Sequence, residues 1–159
     1  MRVFHTDVID EEDLQSLLDL ECHKARSDFD KASEIPSFKA LMDTIESSIP
    51  EKPIWSHPSY FRIESRSKKH PLHFDGCRLD GTPNHMSWCR YSAVSVLTKD
   101  WEGGTLRFRN PVLELEQGLY RSVVIYSSGA DNEPQAHERE EHDGTRVALL
   151  LFLKTERTK

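Results

Sequence analysis

"CRYSAVSVLTKDWEGGTLRF", Cys89 to Phe108, carries two alternating runs separated by a turn-like stretch. In the first, Ser92, Val94 and Val96 share one parity, while Tyr91, Ala93, Ser95 and Leu97 share the other. In the second, Leu106 and Phe108 oppose Thr105, Arg107 and Arg109. A period of two marks a strand, because successive side chains leave opposite faces of the backbone. "KDWEGG" between the runs has the composition of a turn. The stretch reads as consecutive β-strands.

The pattern extends in both directions. "SYFRIES" (59–65), "LYRSVVIYS" (119–127) and "TRVALLLFLK" (145–154) read as further strands. Turn chemistry punctuates them at "DGTPN", "LEQG", "SSGADNEP" and "HDG". Upstream the period changes. "DEEDLQSLLDLECHKA" (10–25) places Leu14, Leu17, Leu18 and Cys22 on one helical face, with acidic residues in the first turn where the helix dipole favours them. "SEIPSFKALMDTIESSIP" (33–50) has Pro36 near a helix start, Phe38, Leu41, Met42 and Ile45 at helical spacing, and Pro50 as a stop. These segments predict a mainly β fold, a jelly-roll, cupin-like barrel with N-terminal helices packed on it. At 159 residues the expectation is one domain over 1–159, with a helical layer over 1–50 and a jelly-roll core over 53–154.

A net charge of −6 argues against a nucleic-acid partner or an anionic membrane surface, both of which favour a basic face. No apolar run approaches membrane-spanning length, and neither terminus carries a targeting signature, so the expected location is cytoplasmic. Cys22, Cys77 and Cys89 form neither a disulfide framework nor a CxxC pair, which fits a reducing compartment.

Chemistry concentrates in "HPLHFDG", His70 to Gly76. A His-x-Asp triplet is short, and chance supplies on the order of one in a chain of this composition. His5-Thr6-Asp7 is indeed a second, but it sits on the terminal segment before the helices and reads as a decoy. On a strand, His73 and Asp75 share a face and can reach one ion. With one distant histidine they would form the 2-His-1-carboxylate triad of non-haem iron sites. His137 and His142 both lie on the charged loop "HEREEHDG" and both remain candidates on spacing alone. Arg146 opens the last strand and shares parity with Ala148, Leu150 and Phe152, so its guanidinium is expected inside the barrel. A buried arginine requires an anion, and no acid on that strand supplies one.

Four blocks in order, "HFDGC", "CRYSAVSVLTKDWEGGTLRF", "VVIYSSGADNEPQAH" and "GTRVALLLF", resemble the 2-oxoglutarate- and Fe(II)-dependent dioxygenases of the prolyl hydroxylase branch. The likeness is closest to the leprecan (prolyl 3-hydroxylase) catalytic domain and runs over roughly Tyr60 to Lys154. It implies a double-stranded β-helix, iron ligands His73, Asp75 and His137, and Arg146 on the distal carboxylate of 2-oxoglutarate. His142 then stands too close to Arg146 to serve. "NEPQAH" carries two residues more before the histidine than the leprecan pattern. The "EGG" turn, Glu102 to Gly104, matches a hairpin turn leading into the next barrel strand. Tyr91 is the expected cosubstrate tyrosine, with Tyr60 the other candidate. The implied cofactors are Fe(II), 2-oxoglutarate and O2, with ascorbate as an auxiliary reductant. The implied reaction hydroxylates a C–H bond, of a prolyl residue in a peptide or protein, with release of succinate and CO2. A free amino acid or other small molecule is the alternative substrate, and a catalytically silent cupin-like binding module the alternative role. Arg62, Arg66, Lys68 and Lys69 form a basic run, either a solvated face or a means of steering an acidic substrate.

Overall fold

The alternating run Tyr91–Val96 forms a strand whose six residues are all buried, because each face meets a different core. The computed structural model describes residues 1–20, 27–109 and 111–157. In chain order these contain β1 (Arg2–His5), α1 (Leu14–Leu18), α2 (Phe29–Ala32), α3 (Pro36–Ser48), β2 (Lys52–Pro53), β3 (Tyr60–Glu64) and β4 (His70–His73). Next come β5 (Tyr91–Val96), β6 (Trp101–Gly103), β7 (Leu106–Phe108), β8 (Leu113–Leu115) and β9 (Val123–Ser127). The chain ends with β10 (His137–Arg139), β11 (His142–Gly144), β12 (Ala148–Leu153) and β13 (Thr155–Glu156).

The major sheet has the order β1-β9-β5-β12-β3 and the minor sheet β4-β10-β7-β8. All the pairs in both are antiparallel. Two short pairs, β11-β6 and β13-β2, complete the strands. This is a double-stranded β-helix with helices on one outer face, as the periodicities predict.

Parity sorts the core. Tyr91, Ala93 and Leu97 join Val123, Ile125, Leu149, Leu151 and Leu153 under the helices. Val94 and Val96 turn the other way and meet Leu106, Phe108, Val124 and Tyr126 between the sheets. Helix α3 begins at Pro36, whose fixed φ suits the first helical turn, and it buries Phe38, Leu41, Met42 and Ile45 on one stripe. Each such side chain contributes about 1.5–3 kcal/mol on burial, so packing on the sheet holds this helix more than propensity does. Helix α1 spans only Leu14–Leu18, after a 3-10 turn at Glu11–Asp13, and Cys22 lies outside the described residues. No described helix is long and apolar enough to cross a membrane.

Three expectations need correction. The first 50 residues are not purely helical, because β1 pairs with β9 as an edge strand of the major sheet. The "EGG" stretch does lead into the next barrel strand, β7, but not as a hairpin turn from β5. Those strands belong to different sheets, and Glu102 and Gly103 lie in β6, paired with β11. Gly103 and Gly104 both have positive φ, the conformation this crossing between sheets requires. Finally, "HEREEHDG" is not a loop, since it supplies β10 and β11.

Candidate active site

Strand β10 runs between β4 and β7, placing His137 opposite both His73 and Phe108. Its three residues divide by parity. Glu138 faces outward to Arg109 at 2.7 Å and Arg107 at 3.5 Å, while His137 and Arg139 line the interior. Asp75 follows β4 and is held there by Gly76. The Gly76 N–H donates to the Ser128 carbonyl at 3.0 Å, and a Cβ on Gly76 would stand 2.4 Å from the Cys89 carbonyl oxygen and 2.5 Å from that of Ser128. Only glycine fits this approach, so the "DG" of the motif is geometric as well as chemical. Asn84 adds a side-chain donor to the Asp75 carbonyl at 3.1 Å.

His73, Asp75 and His137 come together with ligand atoms all within 4.8 Å of one another. The Nε2 atoms of His73 and His137 lie 3.0 and 3.4 Å from Asp75 Oδ1. Each ring's Nδ1 contacts a backbone carbonyl, Pro71 O at 2.8 Å for His73 and Gln135 O at 2.9 Å for His137. A carbonyl only accepts, so Nδ1 carries a proton on each ring and Nε2 is the atom turned to the shared point, where it can either donate to Asp75 or present a lone pair to an ion. Two Nε2 atoms and a carboxylate oxygen this close repel unless a proton or a cation sits among them. This donor set fits a divalent metal such as Fe(II), and the carbonyl contacts are the outer-shell bonds that orient metal-binding histidines.

Tyr126 completes the support. Its hydroxyl donates to Asp75 Oδ2 at 2.8 Å and lies 3.3 Å from His137 Nε2. Burial, together with the Asp75 charge, pushes this phenol well above its ordinary range, so it remains a donor. For Asp75, burial works upward, but His137 and His73 outweigh it and hold the carboxyl well below the usual carboxylate range. His70, whose ring stands 4.0 Å from that of His73, is pushed down to about 4 by burial and by its two histidine neighbours.

Arg146 lines the same pocket, only 4% exposed, beside Ala148, Leu150 and Phe152. Its guanidinium lies 5.2 Å from the Trp101 ring centroid, and its buried Nε has no hydrogen-bond partner. Among the described residues no carboxylate reaches ion-pair distance of it. Burial first, then the like charge of Arg139, pushes it down to about 10. Gly104 makes room, since a Cβ there would stand 2.9 Å from Arg146 Cδ.

The other candidates lie elsewhere. Tyr91 does not reach the pocket; strand parity turns it to the helix side, where its hydroxyl donates to Glu51 at 3.3 Å. Tyr60 packs against Phe152 and Trp88 with its hydroxyl 3.7 Å from Met86 Sδ. His142 is on β11 with Nε2 3.0 Å from the Arg66 carbonyl, outside the ligand cluster. His5 bonds Ser48 at 2.9 Å on the helical side. Cys77 and Cys89 are buried free thiols, and burial pushes Cys89 up to about 12. The residues missed from sequence are Tyr126, Arg139 and Glu64; the shared parity of Val124 and Tyr126 in "VVIYS" was the available signal for the first. Arg62 and Arg66 of the basic run are not merely a solvated face, because both line the pocket.

No protein-family model matches the chain, and no curated protein matches it in sequence. Solved structures do match in fold. A Pseudomonas putida prolyl-4-hydroxylase aligns over 99% of this chain and 87% of its own, with TM-score 0.64 and 15% identity. The viral collagen prolyl hydroxylase of Paramecium Bursaria Chlorella virus-1, in its 2-oxoglutarate complex, aligns over 98% and 96%, with TM-score 0.60 and 10% identity. A Trichoplax adhaerens prolyl hydroxylase, in complex with a hypoxia-inducible-factor peptide fragment, aligns over 97% and 83%, with TM-score 0.61 and 12% identity. At these identities the shared property is architecture: the chain folds as the double-stranded β-helix seen in these prolyl hydroxylases.

Proposed function

We propose that this protein is a 2-oxoglutarate- and Fe(II)-dependent dioxygenase that hydroxylates a prolyl residue in a peptide or protein. The observation that carries the reading is the joint presence, in one pocket, of the His73/Asp75/His137 donor cluster and a buried Arg146 with no carboxylate partner. A metal would explain the first, and an anionic ligand such as the 2-oxoglutarate cosubstrate would explain the second. Iron with 2-oxoglutarate and O2 would supply the oxidising chemistry, releasing succinate and CO2. The chain's own residues do the rest. His73, Asp75 and His137 would hold the ion through three donor atoms, leaving room for further ligands. Tyr126 fixes the Asp75 carboxylate by donating to Oδ2, keeping Oδ1 turned toward the imidazoles. Arg146 would orient 2-oxoglutarate through its distal carboxylate. Leu150, Phe152 and Val94 provide apolar wall that limits water.

The peptide reading is supported by the block order that resembles leprecans and by the peptide seen with the Trichoplax neighbour. The finer placement on the prolyl 3-hydroxylase branch rests on the block resemblance. Anaerobic titration with Fe(II) and 2-oxoglutarate, followed through the weak visible charge-transfer band, tests cosubstrate binding. Mass spectrometry of a proline-rich peptide panel after exposure to O2 tests the substrate. Succinate formation without any oxidised peptide, but with an oxidised free amino acid, would transfer the assignment to a small molecule.

A further inference from the structure

Besides Arg146, three arginines line the pocket: Arg62, Arg66 and Arg139. The acids lining it are Asp75, already committed to the metal cluster, and Glu64. Glu64 lies 3.5 Å from Arg62, and its charge is also felt by Arg139 and Arg146. One carboxylate thus serves three guanidiniums. Several arginines elsewhere have their own carboxylates, although Arg2 does not. Arg90 has Glu51 and Asp131, Arg107 has Glu114, Glu138 and Glu140, and Arg157 has Asp131.

The two inner guanidiniums are built in rather than trailing in solvent. Arg139 donates to the carbonyls of Glu140, Arg66 and Lys68, which orient its plane without neutralising its charge. It shares a strand face with His137, about 7 Å away along β10. Arg62 stands opposite Leu150 in the β3–β12 register, with its guanidinium 5.4 Å from the Phe152 ring centroid and its buried Nε without a partner. With 2-oxoglutarate on Arg146, Arg62 and Arg139 still share Glu64 alone, an excess of one positive charge, with the exposed Arg66 at the rim. A partly buried guanidinium short of a carboxylate favours the approach of an anion.

We propose that Arg62 and Arg139 form a second carboxylate subsite, so that the substrate carries a carboxylate close to the carbon that is hydroxylated. This rests on the dioxygenase reading for the assignment of Arg146 to the cosubstrate. The carboxylate belongs either to an acidic side chain beside the prolyl ring or to the free α-carboxyl of a small substrate, and the two are separable.

The test is calorimetric titration of the Fe(II)- and 2-oxoglutarate-loaded protein, without O2, with two matched probe pairs. N-acetyl-prolyl-glutamate amide is compared with its glutamine counterpart, and N-acetylproline with N-acetylprolinamide. The acid of at least one pair is expected to bind about tenfold or more tightly than its neutral partner, the equivalent of one desolvated ion pair. A preference in the first pair assigns a side-chain carboxylate, and in the second a terminal one. Arg62→Gln and Arg139→Gln should each reduce the preference to within about threefold, while 2-oxoglutarate affinity stays within the same factor. Equal binding of acid and neutral probes to the wild-type protein, or no binding of any probe, overturns the proposal without needing a variant to fold. So does a large loss of 2-oxoglutarate affinity in either variant, which would give that arginine to the cosubstrate. If 2-oxoglutarate itself fails to bind, the dioxygenase reading falls. The probe pairs, repeated on Fe(II)-loaded protein and on both variants, then judge the subsite separately.

Discussion

His137 lies directly opposite His73 across the β4–β10 pair, with ring centroids 4.3 Å apart. One backbone register therefore sets the spacing of both imidazoles, and Asp75 enters between them from the end of β4. The site depends on strand pairing as much as on the ligands themselves.

Removing a donor should abolish metal retention. His73→Ala, Asp75→Ala and His137→Ala are each expected to lower Fe(II) affinity more than about 100-fold, beyond the range of outer-shell substitutions. His5→Ala, Asp7→Ala and His142→Ala should keep iron at the wild-type level. Metal analysis of the purified variants checks this, and iron loss in His142→Ala but not in His137→Ala would reverse the ligand assignment.

Arg146→Ala should raise the 2-oxoglutarate requirement with little change in iron content. A charge-assisted bidentate contact is worth about 2–4 kcal/mol, or about 30- to 1000-fold in affinity. Arg146→Lys should recover only part of the loss, because the planar fork is gone. Dependence of succinate release on 2-oxoglutarate concentration is the measurement.

Tyr126→Phe removes a single hydroxyl from a packed ring and leaves Asp75 Oδ2 without its donor. Fe(II) affinity should fall about 10- to 100-fold, the usual effect of losing an outer-shell partner. Near-UV circular dichroism should stay native, and a competitive metal titration gives the affinity.

Gly104→Ala attacks Arg146 indirectly. The residue has φ +64, and its new Cβ would meet Arg146 Cδ at 2.9 Å and Nε at 3.0 Å. The guanidinium must shift, so 2-oxoglutarate affinity should drop while iron binding is preserved. Equal loss of both would show a collapse of the β6–β11 region instead.

Glu51 joins the end of the helical layer to the barrel, accepting from Arg90 at 2.8 and 3.0 Å and from Thr155 at 2.6 Å. Arg90 holds its carboxyl below the ordinary value, against burial that works upward. A depressed carboxyl contributes stability that is present above its unfolded pKa and lost as pH falls through the folded one. Glu51→Gln should therefore cost about 2 kcal/mol near neutrality. The gap between wild type and variant should narrow as the pH drops below the ordinary carboxyl value of 4.5. Urea unfolding at neutral and acidic pH measures both.

Local periodicity was enough to read the strands around Tyr91, Leu106, Val123 and Ala148, the helix from Pro36 to Ser48, and the inward parity of Arg146. Each rests on spacing within one element, which an alternating or i, i+3, i+4 pattern displays directly. His73 and Asp75 were likewise legible as a pair, being two residues apart. Strand β10 was not, because "HER" has no apolar alternation; its pattern is imidazole and guanidinium inward, carboxylate outward. Tyr91 was misread as a cosubstrate contact because knowing that a strand alternates does not say which face meets the cavity. The choice of His137 over His142 came from resemblance, and the register against His73 is what places it in the cluster. The close approaches at Gly76 and Gly104, the Tyr126–Asp75 contact and the surplus of arginine around Glu64 became visible only in three dimensions. The sequence by itself determined the strongly periodic elements, since backbone geometry imposes their periods locally. Which residues meet was decided by tertiary structure alone, because strand register and sheet facing join segments far apart in the chain and leave no local trace.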